Sequence, residues 1–288
     1  MPSKGSPRRP PARRSTRVPP PSSKWRAASE TLITVDVGNS DTVVGWFLGD
    51  QLRGFWRLTS TRMTADEIEL LLAALARSRE VAGDRAGGRV GGAVLCSVVP
   101  SLTAAWAEAL ERFSGREPVE ISSETAKSLP IRYHDRTAVG ADRIANAVAV
   151  RALYGVPAIV VDLGTATTFD CVSRTGAYLG GAIAPGVGTS AEELFRRASR
   201  LPRIELRKPA RALGRTTEES VRAGVLWGTA GQVDALVRRL ALEIKGTPNV
   251  IATGGYAKLI APECETINRV DEALTLKGMR LIWREITK

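Results

Sequence analysis

The sequence predicts an α/β protein made of two similar halves that face each other across a cleft. Three observations predict it. From residue 31 onward, β-branched apolar runs alternate with helical patterns, as in sheets covered by helices. The segment Thr34-Val35-Asp36-Val37-Gly38-Asn39-Ser40 is echoed by Val160-Val161-Asp162-Leu163-Gly164-Thr165-Ala166. The two aspartates are 126 residues apart, too far for a solenoid repeat and suited to a duplicated fold. Finally, 288 residues with 43% hydrophobic and 25% charged content can bury a core of one large domain or two ordinary ones.

The elements follow in order. Residues 1–30 carry eight basic residues against Glu30 alone, and seven of the chain's 16 prolines. Such a composition cannot pack a core, so it reads as a disordered basic tail. Residues 31–37 read as a β-branched strand and 42–48 as a second, joined by the turn pair Gly38-Asn39. Ile68, Leu71, Leu72 and Leu75 recur at helical spacing, giving a helix over 67–76. Residues 93–99 read as a buried strand ending at Pro100, and 102–113 as a helix. An Ala-rich buried helix is expected over 144–153 and a strand over 158–163. A long helix follows over 221–242, then a strand over 249–253. Two domains are expected, at 31–150 and 151–288.

Several function classes drop out. No run of about 18 apolar residues exists to span a membrane. Cys96, Cys171 and Cys264 are too few and too scattered for a disulfide framework, and read as small reduced apolar residues. With His134 the single histidine, there is no zinc-like cluster. The net charge of +11 suggests nucleic acid until its distribution is seen: +7 lies in the tail and +4 in the rest. Nucleic acid is therefore expected only as a nonspecific, salt-sensitive partner of the tail. Arg8-Arg9 and Arg13-Arg14 raise a twin-arginine export signal, but no apolar stretch follows before Trp25. An over-extended start, an inert extension and an anion-binding arm remain as readings of the tail.

The repeated motif suits phosphate and metal. Glycine lets the backbone take positive φ and approach a ligand closely. Turn amides can then point at phosphate oxygens, and Asn, Ser and Thr add uncharged donors. An aspartate at the strand end can hold Mg²⁺, which bridges phosphates with few carboxylates. Two ordinary hairpins with turn-stabilising Asp and Gly would look similar. The second copy goes further, with Thr165-Ala166-Thr167-Thr168 and then Phe169-Asp170. A third segment, Val139-Gly140-Ala141-Asp142-Arg143, opens the Ala-rich helix. There the helix dipole favours the Asp142 carboxylate, and Arg143 suits an anionic substrate group. The same residues also suit a plain helix start with a solvated arginine.

Taken together, the segments DVGNS (36–40), SVVP (97–100), GADRIANA (140–147), DLGTATTFD (162–170), GGAIAPG (180–186), GRTTEES (214–220) and TGG (253–255) resemble the type III pantothenate kinases. That family lies in the acetate and sugar kinase, heat-shock protein and actin superfamily. The resemblance spans residues 31 to about 283. It implies two actin-like, ribonuclease H-like domains flanking a nucleotide cleft. The implied activity is ATP-dependent phosphorylation of pantothenate to 4'-phosphopantothenate, the first step of coenzyme A biosynthesis. By the same resemblance, Asp36, Val37, Gly38, Asn39, Ser40, Asp41, Thr42, Val43 and Thr165 contact ATP. Asp142 is the general base. Tyr133, Gly140, Ala141, Asp142, Arg143 and Thr217 contact pantothenate, with Arg143 facing its carboxylate. Asp162 holds K⁺ or NH₄⁺, and Asp36 is the candidate for Mg²⁺. A cytoplasmic homodimer is implied. Ser40 replaces a commoner Thr and keeps the hydroxyl, and the basic tail is not part of the family pattern. Two other functions compete: a non-catalytic regulator, which would erode Asp142 or the hairpins, and a kinase for another small alcohol, such as a sugar. Arg143 favours a carboxylate-bearing acceptor over a sugar.

Overall fold

Side chains alternate along β1 (Thr31–Val37): Ile33, Val35 and Val37 enter one core, while Leu32 and Asp36 face the other way. The same alternation runs through β6 (Ala158–Leu163), where Ile159, Val161 and Leu163 point out and Val160 and Asp162 point in. This period of two places both motif aspartates on inward faces at strand ends. The computed structural model describes residues 31–78, 90–198, 201 and 203–287, so the expected basic tail lies outside the described residues.

Each of these strands centres a five-stranded sheet. β2 (Asp41–Leu48) and β3 (Gln51–Thr59) extend the first sheet antiparallel on one side of β1. β4 (Val90–Ser97) and the short β5 (Val119–Glu120) extend it parallel on the other. In the second sheet β7 (Ala166–Val172) and β8 (Tyr178–Pro185) are antiparallel neighbours, and β9 (Asn249–Thr253) and β10 (Arg269–Val270) parallel ones. The orders β3-β2-β1-β4-β5 and β8-β7-β6-β9-β10 are the same path drawn twice. The duplication read from one heptapeptide thus extends to the whole topology.

Helices cover both outer faces. α1 (Ala65–Ala76) starts at a capping box between Thr64 and Glu67, which satisfies backbone donors at its open end. It packs with α2 (Pro100–Ser114) over the first sheet, burying Ile68, Leu72, Leu102 and Trp106. The strand expected over 93–99 stops at Ser97, because the Ser97 hydroxyl binds Val99 N–H and Pro100 begins a helix. Over the second sheet lie the long α5 (Thr217–Ile244), with α4 (Val187–Arg197) before it and the short α6 (Ala257–Ile260) after β9.

The central layer is a pair of helices. α3 (Ala141–Leu153) closes the first half and packs on β6 and β7 of the second sheet. α7 (Leu274–Ile286) closes the second half and packs on β1 and β4 of the first. Each half therefore extends its last helix onto the other sheet, across the boundary expected at residue 150, while α3 also touches β4 of its own. The helices meet at Gly278, where a Cβ would stand 1.9 Å from the Ala145 carbonyl oxygen, so only glycine allows this crossing. The inner core joins Leu32, Phe47 and Val94 of one sheet, Val160 and Ile251 of the other, and Ile144, Val148, Leu276 and Met279 between them.

Candidate active site

The inward faces of β1 and β6 end at one cleft, with the N-terminus of α3 between them. Asp36, Asp142 and Asp162 line it together, so the duplicated hairpins and the GADR segment do converge. Across it the two loops touch: Thr165 Oγ1 donates to Ser40 Oγ at 2.8 Å.

In the first hairpin Gly38 N–H donates to the Asp41 carbonyl at 3.0 Å, and Ser60 Oγ donates to the Gly38 carbonyl at 2.6 Å. Positive φ was expected of the motif glycines, but neither Gly38 nor Gly164 takes it. Gly38 is instead required by close approach, since a Cβ would lie 2.9 Å from the Asp41 carbonyl oxygen. Of the glycines lining the cleft, the one with positive φ is Gly254, at φ 92°, where a Cβ would meet Asp162 Oδ1 at 2.5 Å. Gly38, Asn39, Asp41 and Val43 line the cleft, as does Thr165. Val37 points into the outer core, and the Thr42 hydroxyl pairs with Ser60 at 2.8 Å, so these two side chains shape the loop from behind.

Three carboxylates in one cleft repel each other. Burial first, then the negative charge of Asp142, pushes the Asp36 carboxyl up to about 7. Asp162 is pushed up to about 7 in the same way, although Asn146 donates to its Oδ2 at 3.2 Å. Asp142 itself is raised by burial, against the pull of the Arg143 backbone N–H, which donates to its Oδ1 at 2.8 Å. Gly140 is needed beneath it, since a Cβ would stand 2.6 Å from Asp142 Oδ1. Such crowding suits a site that receives cations. Among the described residues no three Asp, Glu, His or Cys side chains gather as a metal cluster.

Of the expected acceptor contacts, Arg143, Gly140 and Ala141 stand at the start of α3 beside Asp142. Arg143 is turned inward, its Nε donating to Asp170 Oδ1 at 2.7 Å. Tyr133 is 41% exposed and packs against Tyr178, ring centroids 6.4 Å apart. Thr217 lies elsewhere, in a separate groove with Thr216, Ser220, Gly224 and Gly228.

Several residues of the site carried no individual expectation. Asn146 bridges Thr275 on α7 to Asp162, accepting from the Thr275 hydroxyl at 2.9 Å. Its signal was its place one helical turn after Asp142. Arg57 on β3 brings a cation to the cleft wall, paired with Asp41 at 3.0 Å. Thr253 and Gly254 line the floor from the end of β9.

A duplicated sheet whose two strand-end hairpins close on one acidic cleft defines the actin-like fold class. Solved structures agree with that fold. The component A of (R)-2-hydroxyglutaryl-CoA dehydratase from Acidaminococcus fermentans superposes with a TM-score of 0.50 at 12% identity, covering 90% of this chain and 100% of its own. MreB 5 of Spiroplasma citri does so with a TM-score of 0.50 at 10% identity, covering 90% and 97%. The sequence profile described as Type III pantothenate kinase matches residues 32–239. The type III pantothenate kinase of Moorella thermoacetica is 46% identical over 257 residues, 89% of this chain and 100% of its own. That of Streptomyces avermitilis is 44% identical, covering 88% and 97%. The chain belongs to the type III pantothenate kinase family.

Proposed function

We propose that this chain transfers the γ-phosphate of ATP to the primary hydroxyl of pantothenate, giving 4'-phosphopantothenate in the opening step of coenzyme A biosynthesis. The convergence of Asp142 with both hairpin loops in one cleft is the observation that carries the reading. Phosphoryl transfer asks for positioning and charge neutralisation more than covalent catalysis. The Asp36–Val43 hairpin and Thr165 would hold the phosphates through amides and hydroxyls. Asp142 would accept the hydroxyl proton as the oxygen–phosphorus bond forms and the β,γ-bridge breaks. Asp36 would hold Mg²⁺, and Asp162, steadied by Asn146, would hold K⁺ or NH₄⁺. These cations would supply the positive charge that offsets the triphosphate. Tyr133 and residues 140–143 would bind pantothenate, Arg143 meeting its carboxylate.

A homodimer fits the position of Thr217. On α5, Gly224, Gly228 and Gly231 have nothing within 4 Å of an added Cβ, an open face that a second copy could approach. A partner there would give Thr217, remote from its own cleft lining, a substrate to contact. The expected setting is the cytoplasm; among the described residues no helix is long and apolar enough to cross a membrane. Turnover of ATP with and without pantothenate, in K⁺ and in Na⁺, tests the reading. Dependence on pantothenate and stimulation by K⁺ are expected; ATP turnover indifferent to pantothenate would overturn it.

A further inference from the structure

Asp170 closes the second motif and touches none of the groups assigned to the phosphates or the cations. It sits on the inward face of β7, completely buried. Three donors from three elements converge on its carboxylate. Arg143 Nε on α3 reaches Oδ1 at 2.7 Å, the Tyr178 hydroxyl on β8 reaches the same oxygen at 3.0 Å, and Thr168 Oγ1 on β7 approaches Oδ2 at 3.4 Å. The Arg143 guanidinium also lies over the Tyr178 ring, 5.8 Å from its centroid, and the Tyr133 ring packs against the same ring. Tyr133 is itself pressed against Gly180, where a Cβ would come within 3.1 Å of its ring. Two of the expected acceptor contacts, Arg143 and Tyr133, thus lean on one buried carboxylate and the tyrosine bound to it.

A buried ion pair is weak as a stabilising device, since well-packed apolar residues commonly serve a core as well. Its geometric effect is specific. Arginine has a long flexible stem and a planar fork of five N–H donors. A bond at Nε fixes the plane of the fork while the remaining donors stay in that plane for a second anion. The tether also settles a competition, because Arg143 is the immediate neighbour of Asp142. A guanidinium released from Asp170 is drawn to the Asp142 carboxylate and would lower its strength as a base.

We propose that Asp170 is a positioning residue of the acceptor site: it holds the Arg143 guanidinium, and through Tyr178 the Tyr133 ring, in the orientation that receives the carboxylate end of the acceptor. The proposal rests on the reading that Arg143 faces the carboxylate of pantothenate.

The test is a double-mutant cycle on kcat and KM for both substrates, with Asp170→Asn, Arg143→Gln and the double variant. Arg143→Gln should raise the pantothenate KM about 10–100-fold, the loss of a charge-assisted contact. Asp170→Asn should raise it about tenfold, with the ATP KM within about twofold. The double variant should match Arg143→Gln alone, because Asp170 has nothing left to position. A residue that merely supports the core would give factors that multiply in the double variant and would move the ATP KM as well; either result overturns the proposal. So does a pantothenate KM within about twofold of wild type for Asp170→Asn. Tyr178→Phe keeps the ion pair, removes one donor, and covers the case in which Asp170→Asn does not fold. It should raise the pantothenate KM about threefold in the wild-type background and not at all beside Arg143→Gln; equal effects in both backgrounds overturn the proposal. If Arg143→Gln itself leaves the pantothenate KM unchanged, the assignment of Arg143 to the acceptor is what fails.

Discussion

Replacing Asp142 by Asn should make the protein a poorer enzyme and, above neutral pH, a more stable one. The stability gain follows from crowding. Asp36 and Asp162 are each held up to about 7, and after burial the charge of Asp142 is the largest cause in both. Their folded pKa values lie above the unfolded value near 3.9, so their contribution to stability is full below about pH 4 and is lost as pH rises through 7. At pH 8 both are charged beside Asp142. Each pKa unit of relief is worth about 1.4 kcal/mol, so one unit at each site gives roughly 3 kcal/mol. Against this, the neutral amide of Asp142→Asn no longer places a charge at the N-terminus of α3, a loss of about 0.3–1 kcal/mol, and no longer attracts Arg143. Relief of that size wins by about 2 kcal/mol, or about 4–8 °C in melting temperature for a chain of this size. At pH 5 both carboxyls are protonated in the fold and the gain should vanish. The amide oxygen can still accept the Arg143 N–H, so the start of α3 should survive. Thermal unfolding with chelator, at pH 5 and pH 8, reads the difference; coupled turnover and nucleotide calorimetry read the function. Turnover should fall about 10²–10⁴-fold with ATP affinity nearly unchanged. A melting temperature that fails to rise at pH 8 would refute the crowding, and near wild-type turnover in a folded variant would refute Asp142 as the base.

Three further outcomes are expected. Asp162→Asn should remove the advantage of K⁺ over Na⁺ in turnover; stimulation that persists would take the monovalent cation away from Asp162. Gly278→Val must part α3 from α7 at the Ala145 carbonyl, and should cost about 1–3 kcal/mol and several degrees of melting temperature; an unchanged transition would mean that the helices do not meet so closely. Deleting residues 1–30 should leave kcat/KM within about tenfold, or about 1.4 kcal/mol of barrier; a larger loss would bring the tail into the site.

The legible parts of the sequence were those where a local pattern and its tertiary use coincide. β1, β6 and β9 fall where their β-branched runs place them, because central strands buried on both faces need continuous apolar sequence. β3 went unread: it is an edge strand, and Arg53, Gly54 and Arg57 interrupt its apolar run. α7 went unread for a different reason. Gly278 disfavours a helix locally, and its value appears only when another helix presses against it. At the site, the motif aspartates and Asp142 could be found because strand ends and helix starts are local features. The Asp170–Tyr178–Tyr133 cluster could not, since it joins β7, β8 and a loop whose proximity only the folded sheet creates. The place of glycine was legible in the hairpins; of its two uses, positive φ is absent at Gly38 and Gly164, and at Gly38 close approach to the Asp41 carbonyl decides.

The exchange of closing helices between the halves bears on how the chain folds as it leaves the ribosome. Synthesis proceeds from the N-terminus, and domains generally complete themselves in that order. Here the strands of the first sheet are all made by residue 120, yet Leu276, Met279 and Ile282, which cover its inner face beside Leu32 and Phe47, come more than 150 residues later. Until then the inner face of a nascent first half is covered only where α3 touches β4, and α3 has no second sheet to lie on. The inner core of the first half is therefore completed only after the second half has been made. Shelter for that exposed apolar face during translation, rather than early folding of an N-terminal domain, becomes the requirement for efficient production of the protein.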